Sequence, residues 1–179
     1  MITKSYRSPL GMITLAADAR GLTGLWFEGQ THFGSTLDSE GVPNGLGSAS
    51  AVLDYTWAWL DTYFAGHAPA YTPPLHLMGT PFQLEVWSVL QTVPRSSTVA
   101  YGWVADEICR RRLAAGDKRS TSPRAVGGAV ARNPVSIIVP CHRVVAASGA
   151  LTGYAGGLDR KKWLLDVEGC CRGDVGARQ

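Results

Sequence analysis

The sequence predicts an α+β fold, with a small N-terminal domain of strands and one helix and a mostly helical C-terminal domain that contains a helix-turn-helix. Three observations lead to this prediction. The start of the chain carries short β-type segments separated by turn residues. Later segments repeat apolar side chains at helical spacing. A proline-containing stretch from Pro69 to Pro74 separates the two patterns. We therefore expect an N-terminal scaffold domain at 1–74 and a C-terminal domain that carries the chemistry at 75–179.

Three strands and one helix are predicted in the N-terminal domain. The strand segments are bounded by turn-forming residues and lie at 4–7, 12–17 and 21–27. Residues 29–50 are rich in Gly, Ser and Thr, which predicts a loop. The next apolar residues recur at helical spacing and predict an amphipathic helix over about 49–65. Its expected core positions are Leu53, Trp57, Leu60 and Phe64.

The C-terminal domain begins with three predicted helices. The first starts at Thr80-Pro81 and runs to about residue 90, and the second covers about 101–112. Ser122 as N-cap, with a proline at the next position and another after Asn133, delimits a third helix over 123–132. The expected buried residues of the first two helices are Phe82, Val86, Val89, Leu90, Val104, Ala105 and Ile108. The second and third helices form a helix-turn-helix candidate. A last helix is predicted at 160–168, capped by Asp159 before it and Gly169 after it.

A cysteine between a proline and a histidine, Cys141, is the strongest candidate for chemistry. It follows the apolar run 137–139 and Pro140, which has no backbone donor, so we expect Cys141 at the end of a short extended segment. A thiol beside an imidazole can form the reactive thiolate near neutral pH. Neighbouring side chains of an extended chain point to opposite faces, so contact between Cys141 and His142 would need a turn or a bridging water. The pair alone is also compatible with an inert, buried cysteine.

The helix at 123–132 carries a smooth face. One side holds only Gly, Ala and Arg, and the adjacent Gly127 and Gly128 each weaken a helix by roughly 1 kcal/mol relative to Ala. Close helix packing explains such a face. A helix that lies flush against a flat partner, with Arg124 at its N-terminal end, explains it equally.

These segments resemble one known family. The stretch RAVGGAVARNPVSIIVPCHRVV, followed by SGALTGYAGGLDRKKWLLDVEG, is similar to the O6-alkylguanine-DNA alkyltransferases, also called methylated-DNA–protein-cysteine methyltransferases. The resemblance covers about residues 79–169 and includes the GTPFQ segment at 79–83. Before residue 75 it is loose and is carried by SPLG at 8–11 and the strand pattern after it.

The resemblance implies a DNA repair protein. Such a protein flips the damaged nucleotide out of the duplex and transfers an alkyl group from O6-alkylguanine, or O4-alkylthymine, to its own Cys141. The thioether product is stable, so transfer is expected once per molecule. The helix-turn-helix is expected to enter the minor groove of double-stranded DNA, where Gly127, Gly128 and Ala129 allow close approach.

The resemblance also implies roles for single residues. Cys141 is expected to be the nucleophile, His142 the base acting through water, and Glu168 the residue that orients it. Asn133 is expected to tie the recognition helix to the Cys141 loop, and Tyr101 to crowd the flipped nucleotide's phosphate and donate a proton to the purine. The expected DNA contacts are Arg124, which fills the vacated stack, Tyr101, Thr80, Ala125 and Gly127. The expected walls of the alkylguanine pocket are Val130, Val144, Tyr154 and Ala155.

Three of these roles have plainer alternatives when the residues are considered alone. Arg124 is also explained as a phosphate contact, and Tyr101 as a core residue at a helix start. Glu168 is also explained as a solvated carboxylate at a helix end, although a carboxylate there opposes the helix dipole.

Composition and charge are consistent with a globular protein that meets an anionic macromolecule. The chain has 179 residues, of which 45% are hydrophobic and 17% are charged, and its net charge is +3. Residues 95–143 hold nine Lys or Arg and three Asp or Glu. A solvated charged face is the alternative for the run 110–112. No apolar run approaches the ~18 residues of a membrane span and the N-terminus has no secretory apolar region, so a cytoplasmic protein is expected. We also expect a monomer. A reducing compartment suits a free Cys141.

No cofactor and no metal are expected. The sequence has no glycine-rich cofactor loop, and no cysteine precedes Cys109. The histidines at 32, 67 and 76 are scattered, without the ligand spacing of a zinc site. Cys170 and Cys171 have no C-x-x-C spacing and are expected to be incidental thiols.

Two features depart from the family pattern. The connection at 111–122 is several residues longer than the usual turn between the two helices, which costs little entropy but leaves its contribution to DNA binding open. Ala155 stands where many relatives carry Ser, so a side-chain hydroxyl is lost while the backbone N–H remains.

Two other functions fit parts of the pattern. A cysteine hydrolase would use Cys141, His142 and Glu168 on acyl substrates and would turn over. A helix-turn-helix regulator would bind one DNA sequence tightly, but the Gly/Ala face offers few side chains for base readout. Intact mass after incubation with alkylated DNA separates all three.

Overall fold

The structure is a computed structural model and describes residues 1–37 and 46–170. Contacts within the chain define two compact units. The first contains Met1–Met78 together with Pro134–Ile138, and the second contains Gly79–Asn133 and the chain from Val139 onward. The predicted α+β fold is confirmed, with a sheet and one helix in the first unit and mainly helices in the second.

The first unit is built on a three-stranded antiparallel sheet in the order β1-β2-β3. The strands are β1 (Ile2–Ser8), β2 (Gly11–Asp18) and β3 (Gly21–Phe27), so the three predicted strands are present and the first two are slightly longer than expected. Every residue of β3 is buried, which makes it the centre of this unit. Gly21 begins β3 because an added Cβ would lie 2.7 Å from the carbonyl oxygen of Pro74.

One helix, α1 (Leu46–Phe64), completes the first unit. It begins before the predicted residue 49, so the predicted loop at 29–50 is wrong at its C-terminal end, and residues 38–45 of that loop lie outside the described part of the chain. Leu53 and Leu60 are buried as expected, whereas Trp57 is half-buried and packs edge-on against Tyr6 at 4.9 Å. Trp59, two residues further along the same helix, lies in the core instead.

A segment from the far side of the sequence extends the sheet of the first unit. The backbone N–H of Leu25 donates to Pro134 (2.9 Å), and the N–H of Ser136 donates back to Leu25 (2.9 Å). These bonds place Val135 beside Leu25 in a parallel bridge. Residues 134–138, which precede Val139, Pro140 and Cys141, are therefore part of the first unit, which the sequence pattern did not indicate.

The second unit contains three helices that pack together, α2 (Pro81–Leu90), α3 (Tyr101–Ala114) and α4 (Pro123–Ala131). The predicted start of α2 at Thr80-Pro81 is confirmed, and Thr80 caps the helix in a capping box with Gln83. The indole of Trp87 donates to the carbonyl of Ala129 (3.0 Å), which fixes α2 against α4. Phe82, expected in the core, is only half-buried, and the fully buried Trp87 takes that place.

The helix-turn-helix candidate is present as α3 and α4, joined by residues 115–122. Val104, Ala105 and Ile108 of α3 are buried as predicted. Two short strands, β4 (Val99–Ala100) and β5 (Val144–Val145), pair in parallel next to this motif.

The last helix, α5 (Leu158–Val167), starts earlier than predicted. The prediction that Asp159 is its N-cap is wrong, because Gly157 occupies that position with φ +90° and Asp159 lies in the first turn. Glu168 is the C-cap, and Gly169 follows with φ +72°, the left-handed conformation expected of a residue that ends a helix. No helix in the two described stretches is long and apolar enough to cross a membrane.

Candidate active site and nucleic-acid interface

The chain reaches Cys141 through two tight turns. Ile137 has φ +69°, and the N–H of Ile138 donates to Ser136 (2.8 Å). Pro140 has φ −82° and ψ 63°, and the N–H of Cys141 donates to Val139 (2.8 Å), which is an inverse γ-turn. The predicted extended segment before Cys141 is therefore wrong, because the proline ring holds φ in the range of this turn and the chain curls.

Cys141 opens a single 3-10 turn, Cys141–Arg143, and its side chain is 3% exposed. The side-chain amide of Asn133 donates to the Cys141 sulfur (3.0 Å) and to the carbonyl of Val139 (2.8 Å). The expected hydrogen bonds from Asn133 to the Cys141 loop are therefore present. Burial raises the pKa of the Cys141 thiol, while the Asn133 amide, the charge of Lys161 and nearby backbone N–H groups lower it.

His142 and Glu168 form a fully buried pair. Nε2 of His142 lies 2.9 Å from Oε1 of Glu168, and both side chains are 0% exposed. Arg143 donates to the same carboxylate through Nε (2.8 Å) and Nη2 (2.9 Å), and through Nη1 to the carbonyl of Val93 (2.6 Å). Burial raises the pKa of Glu168, but the hydrogen bonds from His142 and Arg143 outweigh it and hold that pKa well below its ordinary value.

These contacts determine the protonation state of the imidazole. Burial lowers the pKa of His142 even though Glu168 raises it, so the resting ring is neutral. An ionised carboxylate only accepts, so Nε2 of His142 carries the proton that is donated to Glu168. Nδ1 is then an acceptor, and it has no hydrogen-bond partner among the described residues. The ring is oriented to accept a proton at Nδ1.

Two charged residues of this site were not predicted from the sequence, Arg143 and Lys161 of α5. Lys161 is the one that influences the ionisation of the thiol. Its side chain is 0% exposed, and Nζ donates to the carbonyls of Val144 (2.5 Å) and Thr152 (2.6 Å). Burial lowers its pKa to about 8, against an opposing influence of Cys141. A cation held near the thiol favours the thiolate. The signal in the sequence was weak, because RKK at 160–162 has the pattern of a solvated face.

Tyr101 lies at the start of α3, close to both the cysteine and the smooth helix. Its hydroxyl donates to Gly153 (3.2 Å), and an added Cβ on Gly127 would lie 3.8 Å from its ring. Burial raises the pKa of Tyr101, a hydrogen bond to Thr152 lowers it, and the Cys141 charge raises it further. Tyr101 therefore stays protonated near neutral pH and is able to donate.

The face of α4 matches the sequence pattern in part, and the expectation that Ala129 belongs to the face that approaches DNA is wrong, because Ala129 is buried. Ser122 caps the helix by accepting the N–H of Ala125 (3.2 Å). Arg124 and Ala125 are exposed and Gly127 is half-buried, while the opposite face is buried through Val126, Ala129 and Val130. The N-terminal end of α4 therefore exposes the Arg124 guanidinium beside small side chains. This surface is accessible to a flat partner.

The other predicted site residues are placed as follows. Val130 and Val144 are buried, and Tyr154 and Ala155 are half-buried. Thr80 is exposed, and its hydroxyl is engaged in the α2 cap, where it accepts the N–H of Gln83 (3.3 Å).

Several basic residues of the 95–143 segment are neutralised within the chain. Arg110 and Arg111 both pair with Glu107 at 2.7 Å, and Arg112 pairs with Glu85 at 2.5 Å. Arg119 of the long loop pairs with the neighbouring Asp117 at 2.6 Å. Among these partners Glu85 lies outside residues 95–143, so these pairs lower the excess of nine basic over three acidic residues in the segment by one charge.

Comparison with known proteins identifies the family of this chain. The DNA-binding domain of 6-O-methylguanine DNA methyltransferase matches residues 81–170, and the ribonuclease-like domain of the same protein type matches residues 1–77. A methylated-DNA–protein-cysteine methyltransferase of Mycobacterium tuberculosis is 42% identical over 165 residues, covering 92% of this chain and 90% of that protein. The chain belongs to the methylated-DNA–protein-cysteine methyltransferase family.

Relatives of this family extend beyond one group of organisms. The methyltransferase of Methanosarcina acetivorans is 39% identical, covering 93% of this chain and 97% of that protein. Among solved structures, Mycobacterium tuberculosis OGT in complex with DNA superposes with a TM-score of 0.74 at 38% identity, covering 93% of this chain and 92% of that one.

Proposed function

We propose that this protein repairs DNA by transferring an alkyl group from O6-alkylguanine to the sulfur of Cys141, once per molecule. The observation that carries the proposal is the arrangement around that sulfur. Cys141 is held by Asn133 in the same 3-10 turn as His142, whose Nε2 is fixed by Glu168 at 2.9 Å. Family membership and the similarity to a methyltransferase solved with DNA support the same conclusion.

The chemical step follows from these groups. The Cys141 proton passes through an intervening water to Nδ1 of His142, and the resulting imidazolium is stabilised by Glu168. The thiolate attacks the alkyl carbon, so an S–C bond forms as the C–O6 bond breaks and its electron pair moves to the guanine. Tyr101 donates a proton to the purine, which makes the departing base neutral. The thioether has no route back to the thiol in this site.

Access to the base requires nucleotide flipping, because O6 lies inside the duplex. We propose that α4 approaches the minor groove through Ala125 and Gly127, and that Arg124 fills the vacated stack. Thr80, at the exposed N-terminus of α2, contacts the DNA backbone. Val130, Val144, Tyr154 and Ala155 line the pocket that receives the base.

Four further features belong to this proposal. O4-alkylthymine is a second substrate, the protein acts as a monomer, and it works in the cytoplasm, where a free thiol and DNA coexist. The domain at 1–74 supports the domain at 75–179, which performs the transfer.

The test is mass analysis after mixing the protein with a duplex that contains one O6-methylguanine. We expect the intact mass to rise by one methyl group, located on the peptide that contains Cys141. Cys141→Ser should keep DNA affinity and lose the mass change, whereas Cys109→Ser, which alters the half-buried thiol of α3, should behave like the parent protein. Methylation at Cys109 or Cys170, or several turnovers per molecule, would contradict the proposal.

A further inference from the structure

The segment Pro134–Ile138 connects Asn133 to the turn that contains Cys141, and it is fixed along its length in the first unit. Backbone hydrogen bonds with Leu25 hold its beginning. One side-chain contact holds its middle, where the hydroxyl of Ser136 donates to Oε1 of Gln30 at 3.3 Å. Gln30 is 6% exposed and Ser136 is 0% exposed, so this contact is shielded from water.

Gln30 is held in place by its own backbone neighbourhood. The same Oε1 accepts the N–H of Phe27 at 2.8 Å, at the end of β3. A backbone N–H only donates, so the oxygen of the amide must face Phe27. Nε2 of Gln30 is buried and has no hydrogen-bond partner within the described residues. The side chain therefore contributes an oxygen acceptor, shared by β3 and Ser136, and its amide nitrogen adds no contact there.

The residue after Ser136 explains why an anchor is needed. Ile137 has φ +69°, and a β-branched residue in the left-handed region is a strained outlier. Such a conformation persists only where the surroundings determine it. Ile137 is 1% exposed, so it is held by packing on one side and by the Gln30–Ser136 contact on the other. Without the anchor, we expect Ile137 to return to negative φ and the chain leading to Cys141 to change direction.

We propose that Gln30 is a positioning residue for the transfer reaction, acting through Ser136 and the strained Ile137 to hold Cys141 where its sulfur can attack in line. The inference rests on the function proposed above and adds a role for a residue of the N-terminal domain. A displacement of about 1 Å at a reacting atom costs up to about a hundredfold in rate, so a small change of this segment is enough.

The test compares Gln30→Met, which removes the acceptor of two buried hydrogen bonds in the first unit, with Thr36→Val, which removes one. Gln30→Met keeps the side-chain length and removes the acceptor. Thr36→Val is the matched control, because the hydroxyl of Thr36 is buried and donates to Thr23 of β3 at 3.0 Å, away from the 134–138 segment. Gln30→Glu is the conservative variant, since it retains an oxygen that accepts from Phe27 and Ser136. Single-turnover transfer from a methylated duplex and from free O6-benzylguanine is measured below the unfolding transition of all variants.

We expect Gln30→Met to slow transfer on both substrates by about tenfold or more, with unchanged affinity for the DNA. We expect Thr36→Val to transfer at the parent rate and Gln30→Glu to recover most of the loss. Labelling of Cys141 by iodoacetamide should change in the opposite direction, becoming faster in Gln30→Met alone, because a released segment exposes the buried thiol. Equal changes of transfer rate and of labelling rate in Gln30→Met and Thr36→Val would overturn the proposal, because Gln30 would then only stabilise the first unit.

The labelling experiment also separates the two proposals, since it needs no damaged base. If the parent protein leaves methylated DNA unchanged and Gln30→Met is labelled faster, the repair function is refuted, while the role of Gln30 in holding the 134–138 segment is supported. If Gln30→Met transfers at the parent rate, the positioning role of Gln30 is refuted, while the repair function is supported.

Discussion

Replacing Glu168 by Gln tests the relay most directly. The substitution preserves shape and removes one negative charge from a site where His142 and Arg143 converge on a single carboxylate. A neutral amide offers one oxygen to three donor contacts, and its NH₂ group faces donors. The variant therefore weakens the imidazolium that forms when His142 accepts a proton, and it leaves the Arg143 guanidinium with a poorer partner.

Two magnitudes follow from the contacts. Removing one member of a buried ion pair typically costs about 3–5 kcal/mol of unfolding free energy, and here the Glu168 side chain is 0% exposed and that of Arg143 is 13% exposed. The pKa of His142 falls when the raising influence of Glu168 is lost. A fall of about one pKa unit makes proton transfer from Cys141 harder by about 1.4 kcal/mol, which is about tenfold in rate.

The stability difference has a defined pH dependence. The pKa of Glu168 is depressed in the folded protein from its ordinary 4.5. Its contribution to stability is therefore fully present above about pH 4.5 and is lost as the pH falls below that value. The gap in unfolding free energy between parent and Glu168→Gln should be constant near neutral pH and should narrow in acid, as measured by urea denaturation.

The assay is the pH–rate profile of single-turnover transfer to Cys141, measured at temperatures where every variant is folded. The control is Asp166→Asn, which removes an exposed acid from the last turn of α5. We expect the apparent pKa for transfer to rise in Glu168→Gln and to stay constant in Asp166→Asn. Superimposable profiles of Glu168→Gln and the parent protein would exclude Glu168 from the reaction and leave it a purely structural role.

Three other substitutions test separate parts of the site. Lys161→Met should slow transfer below pH 8, and it should remove a rise in stability between pH 8 and 10.5 of up to about 3 kcal/mol, because the Lys161 pKa is lowered from 10.5 to about 8. Lys162→Met, at the exposed neighbour, should change neither quantity. Arg124→Ala should slow repair of the duplex by about tenfold or more and spare the free modified base, whereas equal loss on both substrates would indicate a folding defect. Replacing both Lys118 and Arg119 by Ala should lower the slope of log affinity against log salt by up to about two units, and an unchanged slope would show that neither side chain reaches a phosphate.

Features with local causes were predictable from the sequence. The caps at Thr80 and Ser122 follow from side chains that reach backbone groups three residues away, and both are present. The three strands and the limits of α4 follow from turn residues and prolines in the same way. Cys141, His142 and Glu168 were identified through the family resemblance. The distances between their side chains could not be read from their spacing in the sequence and are given by the structure.

Features that depend on distant partners were not predictable. The left-handed φ of Ile137 contradicts the preference of a β-branched residue, and the neighbouring Ser136 is bonded to Leu25 of β3, more than a hundred positions away in the chain. The buried Lys161 ammonium donates to one carbonyl group in β5, that of Val144, and to one in the loop before α5, that of Thr152. The cap at Asp159 was predicted by residue type, but two glycines before it let the helix begin earlier.

Burial favours the neutral forms of the Cys141 thiol and the His142 imidazole in the resting site. Burial raises the pKa of the Cys141 thiol and lowers that of the His142 imidazole, so a thiolate–imidazolium pair is disfavoured before the substrate arrives. A protein that is consumed by one transfer loses its function to any adventitious oxidation or alkylation of that thiol, and those reactions need an exposed thiolate. The neutral, enclosed thiol is protected until a flipped base brings the electrophilic carbon to the sulfur. In the proposed mechanism, Lys161 and the His142–Glu168 pair then favour the charge that develops on the sulfur during attack. The enclosure that protects the thiol also strengthens these electrostatic interactions, because water is excluded from the site.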